Sequence, residues 1–277
     1  MKKITVIALA IAMVLLPSCK NQGKNAAGAA EEIDLSTQEA MINAEVKAEM
    51  NDLLESIKKM KGVPFVAKSK DGKIVLTEKE KKVKPDYLLD PAAVNNAVTL
   101  AQKYRLGGIL GVDLVLANAY EMPATELKEA LSKLLVDVND EAFTIFASTP
   151  WTDPEGNMDA IQSAIGDLAE AEFEADRANF FWETTAASLV EQVYILTRNM
   201  DLFLQMFDDQ TAADVTFNFV CLHDGMTQML KIYPEMESLN EVLEPLYVIN
   251  AMDKAQLKDQ LTQLKGSIEI ARAALLK

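Results

Sequence analysis

A single histidine and two cysteines in 277 residues remove most metal and nucleophile chemistry from consideration. One histidine excludes paired-histidine zinc, haem and helical di-iron sites of the Glu-x-x-His kind. It lies two residues beyond a cysteine, in Cys221-Leu222-His223. On a helix, residues two apart diverge by about 200°, so this pair cannot form a nucleophile and base dyad. His223 borders an apolar stripe one turn from Phe219 and reads as a boundary side chain. Basic residues are scarce too: 27 stand against 42 acidic ones, a net charge of −15, which argues against nucleic acid as a partner. No nucleophile elbow, phosphate loop or dinucleotide fingerprint occurs, and no sequence repeat of fixed period demands a solenoid. An enzyme is not expected, and neither is a cofactor.

What is present begins with an address. Lys2 and Lys3 precede a thirteen-residue apolar run from Ile4 to Leu16, followed by Leu16-Pro17-Ser18-Cys19. The run is too short to cross a hydrocarbon core of about 30 Å as a helix, and with its charged start it fits a secretory signal. It resembles a bacterial lipoprotein signal peptide, although Pro17 departs from the small or β-branched residue usual at that place. The resemblance implies cleavage after residue 18 and a lipid on Cys19, hence a membrane anchored through the N-terminal lipid. Removing residues 1–18 leaves 25 basic and 42 acidic residues, a net charge of −17. Once Cys19 is acylated only Cys221 remains, so no intramolecular disulfide can form and stability must come from packing. Lys20 follows the cysteine where similarity to enterobacterial lipoproteins would associate aspartate with inner-membrane retention. The next residues also lack the acidic cluster that marks surface export in some groups. The expected location is the outer membrane, facing the periplasm.

Three segments follow: 1–18 as signal, 19–35 as lipidated cysteine and tether, and 36–277 as a single helical domain. The tether is rich in Gly, Ala, Asn and Glu, and sixteen such residues reach roughly 22 Å. Ser36 and Glu39 form a capping box for a first helix from Thr37 to Lys61, with Ile42, Val46, Met50, Leu53, Ile57 and Met60 on one stripe. A small hairpin is expected near residues 63–78, turning at Lys70-Asp71-Gly72-Lys73. Ten lysines against three acids between Lys58 and Lys84 make this arm locally basic, so it could meet lipid phosphates or an acidic partner, but a solvated loop that keeps an exposed hairpin from pairing with other edges is the better reading.

Beyond it the reading is all-α, an antiparallel multi-helix bundle or a short α-superhelical array. Asp90 caps and Pro91 opens a segment to about Tyr120. Pro123 opens a helix to about Asp137, a short one spans Glu141 to Ala147, and Asn157 caps one reaching Glu174. Trp182, Ala186, Leu189, Val193, Leu196, Met200, Phe203 and Phe207 mark one long core helix or two nearly continuous ones. Stripes at Val215, Phe219, Leu222, Met226, Met229 and Tyr233, then at Leu257, Leu261, Leu264, Ile268, Ala271 and Leu275, mark two more. Between them a helix from Leu239 to Asn250 is interrupted by Pro245.

Four groupings invite chemistry. Asp153, Glu155, Asn157 and Asp159 alternate around Gly156 like calcium ligands, but Ala164 stands where the bidentate glutamate of an EF-hand belongs. Asp167, Glu170 and Glu174 share a helix face that Arg177 could neutralise by ion pairing. Asp113 lies within Tyr104-Arg105-Leu106-Gly107-Gly108-Ile109-Leu110-Gly111-Val112-Asp113. Three glycines in a helix cost about 1 kcal/mol each against alanine, so close packing or a nearby ligand should offset them. Glu191, inside Leu189-Val190-Glu191-Gln192-Val193, poses the same question of a buried acid. Asp113, Arg105, Tyr104 and Glu191 are therefore the candidates for a ligand lining or a buried polar network.

The signal peptide, Lys84-Pro85-Asp86-Tyr87-Leu88-Leu89, Tyr104 to Leu114 and Ala187 to Thr197 together resemble a group of helical lipoproteins of Bacteroidota. The resemblance implies an all-helical anchored domain and brings no activity or catalytic residue with it. The leading expectation is a non-catalytic interaction or scaffold protein of the cell envelope with an envelope protein as partner. The second is a carrier for a small apolar ligand, suggested by thirteen methionines and the two acids.

Overall fold

Between Asp90 and Leu100 the chain starts two helices where the sequence suggested one. Asp90 accepts a hydrogen bond from the Ala92 N–H at 2.9 Å and Pro91 follows it, but the resulting 3-10 turn ends at Asn96. Thr99 then starts α1, Leu100–Ala119, with a reciprocal capping box. Its hydroxyl accepts from the Gln102 N–H at 3.2 Å, and the Gln102 side chain accepts from the Thr99 N–H at 2.9 Å. Two orphan donors are satisfied at once, which fixes a fresh N-terminus and interrupts the expected continuous segment.

The computed structural model describes residues 76–141, 143–144, 158–175 and 177–277, with Ala48, Asn51, Asp52 and Glu55; the side chains of 158–165 and 206 are excepted. The first-helix stripe, the hairpin turn and the calcium-like loop lie outside these residues. After α1 come α2, Thr125–Val138, closed by a left-handed Asn139, and α3, Met158–Glu174. Next are α4, Ala178–Arg198, a helical turn at Met200–Phe203 running into Leu204–Met206, and α5, Asp209–Ile232. The last two helices are α6, Glu237–Leu243, and α7, Lys254–Leu275. Among the described residues there is no strand. The fold is all-α.

The stripe from Trp182 to Phe207 is thus two nearly continuous pieces, broken where Asn199 leaves the helical region at φ −135° and ψ 46°. Asp208 and Asp253 cap α5 and α7, each accepting from the backbone three residues on, at 2.7 and 2.8 Å. Val215, Phe219, Leu222, Met226, Met229 and Tyr233 are all buried, as are Leu257, Leu261, Ile268, Ala271 and Leu275, while Leu264 is half-buried.

The centre of the bundle is the pair α1 and α4. Every residue from Leu106 to Ala117 is buried, so α1 is covered on all sides as an internal helix must be. The two helices run parallel: Tyr104 meets Thr184 and Gly108 meets Ser188. Helices α2 and α3 lie between them in the chain, which frees them from the antiparallel pairing that short loops impose on neighbours. α7 packs antiparallel on α4, with Arg272 at Glu191, Glu269 at Arg198 and Thr262 at Met200. A Cβ on Gly108 would lie 2.6 Å from the Thr184 carbonyl oxygen and 2.7 Å from Ser188 Oγ, and one on Gly107 would overlap the Phe143 ring. Close packing, not a bound ligand, accounts for these two glycines.

Candidate functional site

The four sequence candidates fall into two polar clusters and a separate ion pair about α1 and α4. Asp113 and Glu191 belong to the first, and both are fully buried. The isolated acid on α1 meets the isolated acid on α4, and α7 supplies the cation. Arg272 clamps Glu191 through two hydrogen bonds, Nε to Oε2 at 2.5 Å and a terminal nitrogen to Oε1 at 3.0 Å. Its guanidinium also lies 4.3 Å from the centre of the Tyr194 ring and donates to the Tyr87 carbonyl at 3.4 Å. Such bidentate, stacked pairing is what arginine can do and lysine cannot.

Asp113 Oδ2 accepts from the Leu89 N–H at 2.7 Å, while no donor faces Oδ1. Burial first, and the charge of Glu191 second, push the Asp113 carboxyl well up. Burial also raises Glu191, against the pull of Arg272. With one cation for two acids, the consistent state has Asp113 protonated beside a Glu191 carboxylate that Arg272 balances. The extended segment Tyr87-Leu88-Leu89 is held by this arrangement, since Asn199 also donates to the Tyr87 hydroxyl at 2.6 Å. Three helices and one extended segment are stapled at a single point.

Tyr104 belongs to the second cluster. Its hydroxyl donates to Asp140 Oδ2 at 2.6 Å, and its ring stacks on Phe180 with centres 4.9 Å apart. Arg177 reaches Asp140 at 2.6 Å and Glu172 at 3.0 Å. Asp167, Glu170 and Glu174 were the expected partners of Arg177, yet its part-exposed side chain reaches the buried Asp140 and Glu172 instead, and its backbone N–H donates to the Glu172 carbonyl at 2.8 Å just past the end of α3. Glu172 is fully buried, and the sequence reading passed over it. A signal existed: it stands three and four residues from buried Ala169 and Leu168, on the apolar stripe of α3. Arg105 stays apart from Asp113 and pairs bidentately with Glu183 at 2.5 and 3.2 Å.

Burial works against the charge of Asp140, but the Tyr104 hydroxyl, the Phe143 N–H and Arg177 outweigh it and hold the group below its ordinary value. Glu172 goes the other way. Burial, with the Asp140 charge next, pushes it to about 7 from an ordinary 4.5. Between those values the folded chain holds a proton that the unfolded chain has lost. The stability from protonated Glu172 is therefore complete below 4.5 and disappears as pH rises through about 7, with a slope of at most about 1.4 kcal/mol per pH unit. Urea denaturation at pH 5, 6 and 7 should find Glu172→Gln less pH-dependent than the parent chain. Parallel curves for the two proteins would contradict this assignment.

Other features are quieter. The His223 ring rests 4.5 Å from that of Tyr247 at the surface, and Cys221 is buried. Of the lysine-rich arm, Leu76 is buried and Lys81 pairs with Glu78 and Glu121. Among the described residues no group of His, Cys, Asp and Glu could hold a metal ion, and no helix is long and apolar enough to cross a membrane. An open cleft of about 560 Å³ is lined by Thr197, Arg198, Asn199, Asp201 and Lys258 among others. Met200 and Leu202 complete its walls, which mix polar and apolar groups. Comparison with protein-family models, with curated proteins and with solved structures finds no match.

Proposed function

We propose that the chain is a lipid-anchored envelope protein, held at the outer membrane through Cys19 and facing the periplasm. Its helical domain serves as a non-catalytic interaction module for another envelope protein. The observation that carries this reading is the fate of Asp113 and Glu191. They are the acids that raised the prospect of a carrier, and they are engaged by the Leu89 N–H and by Arg272 respectively. Buried, mutually compensated groups stabilise a fold and leave nothing to meet a substrate. The glycine-bearing face of α1 is likewise filled by α4 and Phe143.

Replacing the acyl acceptor tests the anchor. Cys19→Ser should move the protein from the membrane pellet to the soluble periplasmic fraction, with helical content and melting temperature unchanged. Retention of the variant in the pellet contradicts the anchoring.

A further inference from the structure

The outer face of α5 carries Phe217 and Val220, 41% and 47% exposed, three residues apart and so neighbours on the helix surface. The loop before α7 adds Val248 and Met252, 60% and 71% exposed. Two contacts hold that loop along α5: the Thr216 hydroxyl donates to the Ala251 carbonyl at 2.8 Å, and the Tyr247 ring lies against that of His223, tilted by 49° with centres 4.5 Å apart. Thr216, Val220 and His223 follow one another on one helix face, so Val220 stands between the two contacts. Val248 and Met252 each adjoin an anchored loop residue. Four exposed apolar side chains thus group along α5 and the loop pinned to it, whereas Val98 and Leu100 make a smaller pair at the start of α1 and Val83, Val136 and Ile270 are exposed singly. Grouping of this kind marks an interaction surface, whereas scattered apolar residues need no explanation.

Charge decides the occupant. From Asp201 to Lys254 ten acids stand against Lys231 and Lys254, a net −8. Asp214 and Asp224 sit one turn from Phe217 and Val220 on α5, and Asp253 follows Met252. An anionic leaflet would be repelled, and a second copy would set the same acids against one another. From this we infer that the strip Phe217, Val220, Val248 and Met252 docks a cationic, apolar-faced segment of the envelope partner. The apolar side chains of that segment cover the strip while its lysines and arginines meet the acidic rim. The inference rests on the interaction reading above and supplies the chemistry of the partner.

Two measurements test it. The full-length chain is titrated with a Leu/Lys amphipathic peptide and with a Ser/Lys peptide of equal charge. The leucine peptide should bind at least about tenfold tighter, or 1.4 kcal/mol. Phe217→Ser with Val220→Ser should abolish that preference, whereas Val136→Ser should keep it. Val248→Ser with Met252→Ser repeats the test from the loop should the α5 variant fail to fold. Equal binding of both peptides, or a preference surviving these changes, overturns the inference. In the living host, a photo-crosslinker at Val220 should join a lysine- or arginine-rich apolar segment. Adducts at Val136 or Ile270 alone would overturn the docking strip and leave the interaction reading standing; adducts at none of these positions would overturn both.

Discussion

Arg272→Ala should cost about 3–5 kcal/mol of stability, the loss expected when one partner of a buried ion pair is removed. Arg272 is the cation that balances the buried Glu191 carboxylate beside a protonated Asp113, and its guanidinium also covers the Tyr194 ring and ties the Tyr87 carbonyl. Without it Glu191 must either hold an uncompensated charge or take a second proton beside Asp113. Pairing Arg272→Met with Glu191→Leu should recover most of the loss, because an apolar replacement of both partners leaves no orphaned charge. Equilibrium denaturation in urea measures both effects. A cost below about 1 kcal/mol for the single variant, the range of exposed pairs, would show that Glu191 finds its balance elsewhere.

Gly108→Val should be the other severe change, at or above the top of the usual 1–3 kcal/mol for overpacking. The obstacle is the backbone oxygen of Thr184 on α4, 2.6 Å from where a Cβ would sit. That oxygen moves only if the helix moves. Gly107 faces the end of the Phe143 ring, a buried side chain whose displacement leaves the α4 backbone in place. Gly107→Ala should consequently be the milder substitution, partly offset by alanine's gain of about 1 kcal/mol in helix propensity. Thermal denaturation of the two variants gives the order, and Gly107→Ala proving worse would contradict the packing described.

The all-helical architecture was legible because its signals are local. The stripes of α5 and α7 recur at three and four residues, and Pro234 and Pro245 mark where regular helix gives way. The Thr99 and Gln102 capping box was equally readable, yet the Asp90-Pro91 start masked it. Asp113 and Glu191 stood out as acids among apolar neighbours, which identified them as unusual without saying what they meet. Their partner lies 81 residues from Glu191 on a helix whose own pattern accommodates an arginine between Ile268 and Leu275. Glu172 and Asp140 were missed for a related reason. A glutamate within a charged helix looks solvated until Arg177 is seen to reach it, and that contact is set by tertiary packing. The parallel course of α1 and α4 was also illegible, since chain order constrains only neighbouring helices.

The most direct measurement is the equilibrium unfolding free energy of Asp113→Ala against the parent chain. If the acids of the seam between α1 and α4 serve the fold, alanine orphans the Leu89 N–H and removes the protonated neighbour of Glu191. The predicted loss is about 1–3 kcal/mol, the penalty for a buried polar group left unsatisfied. Unchanged stability would mean that Asp113 is kept for something other than the fold, and the account of this seam as structural would be wrong.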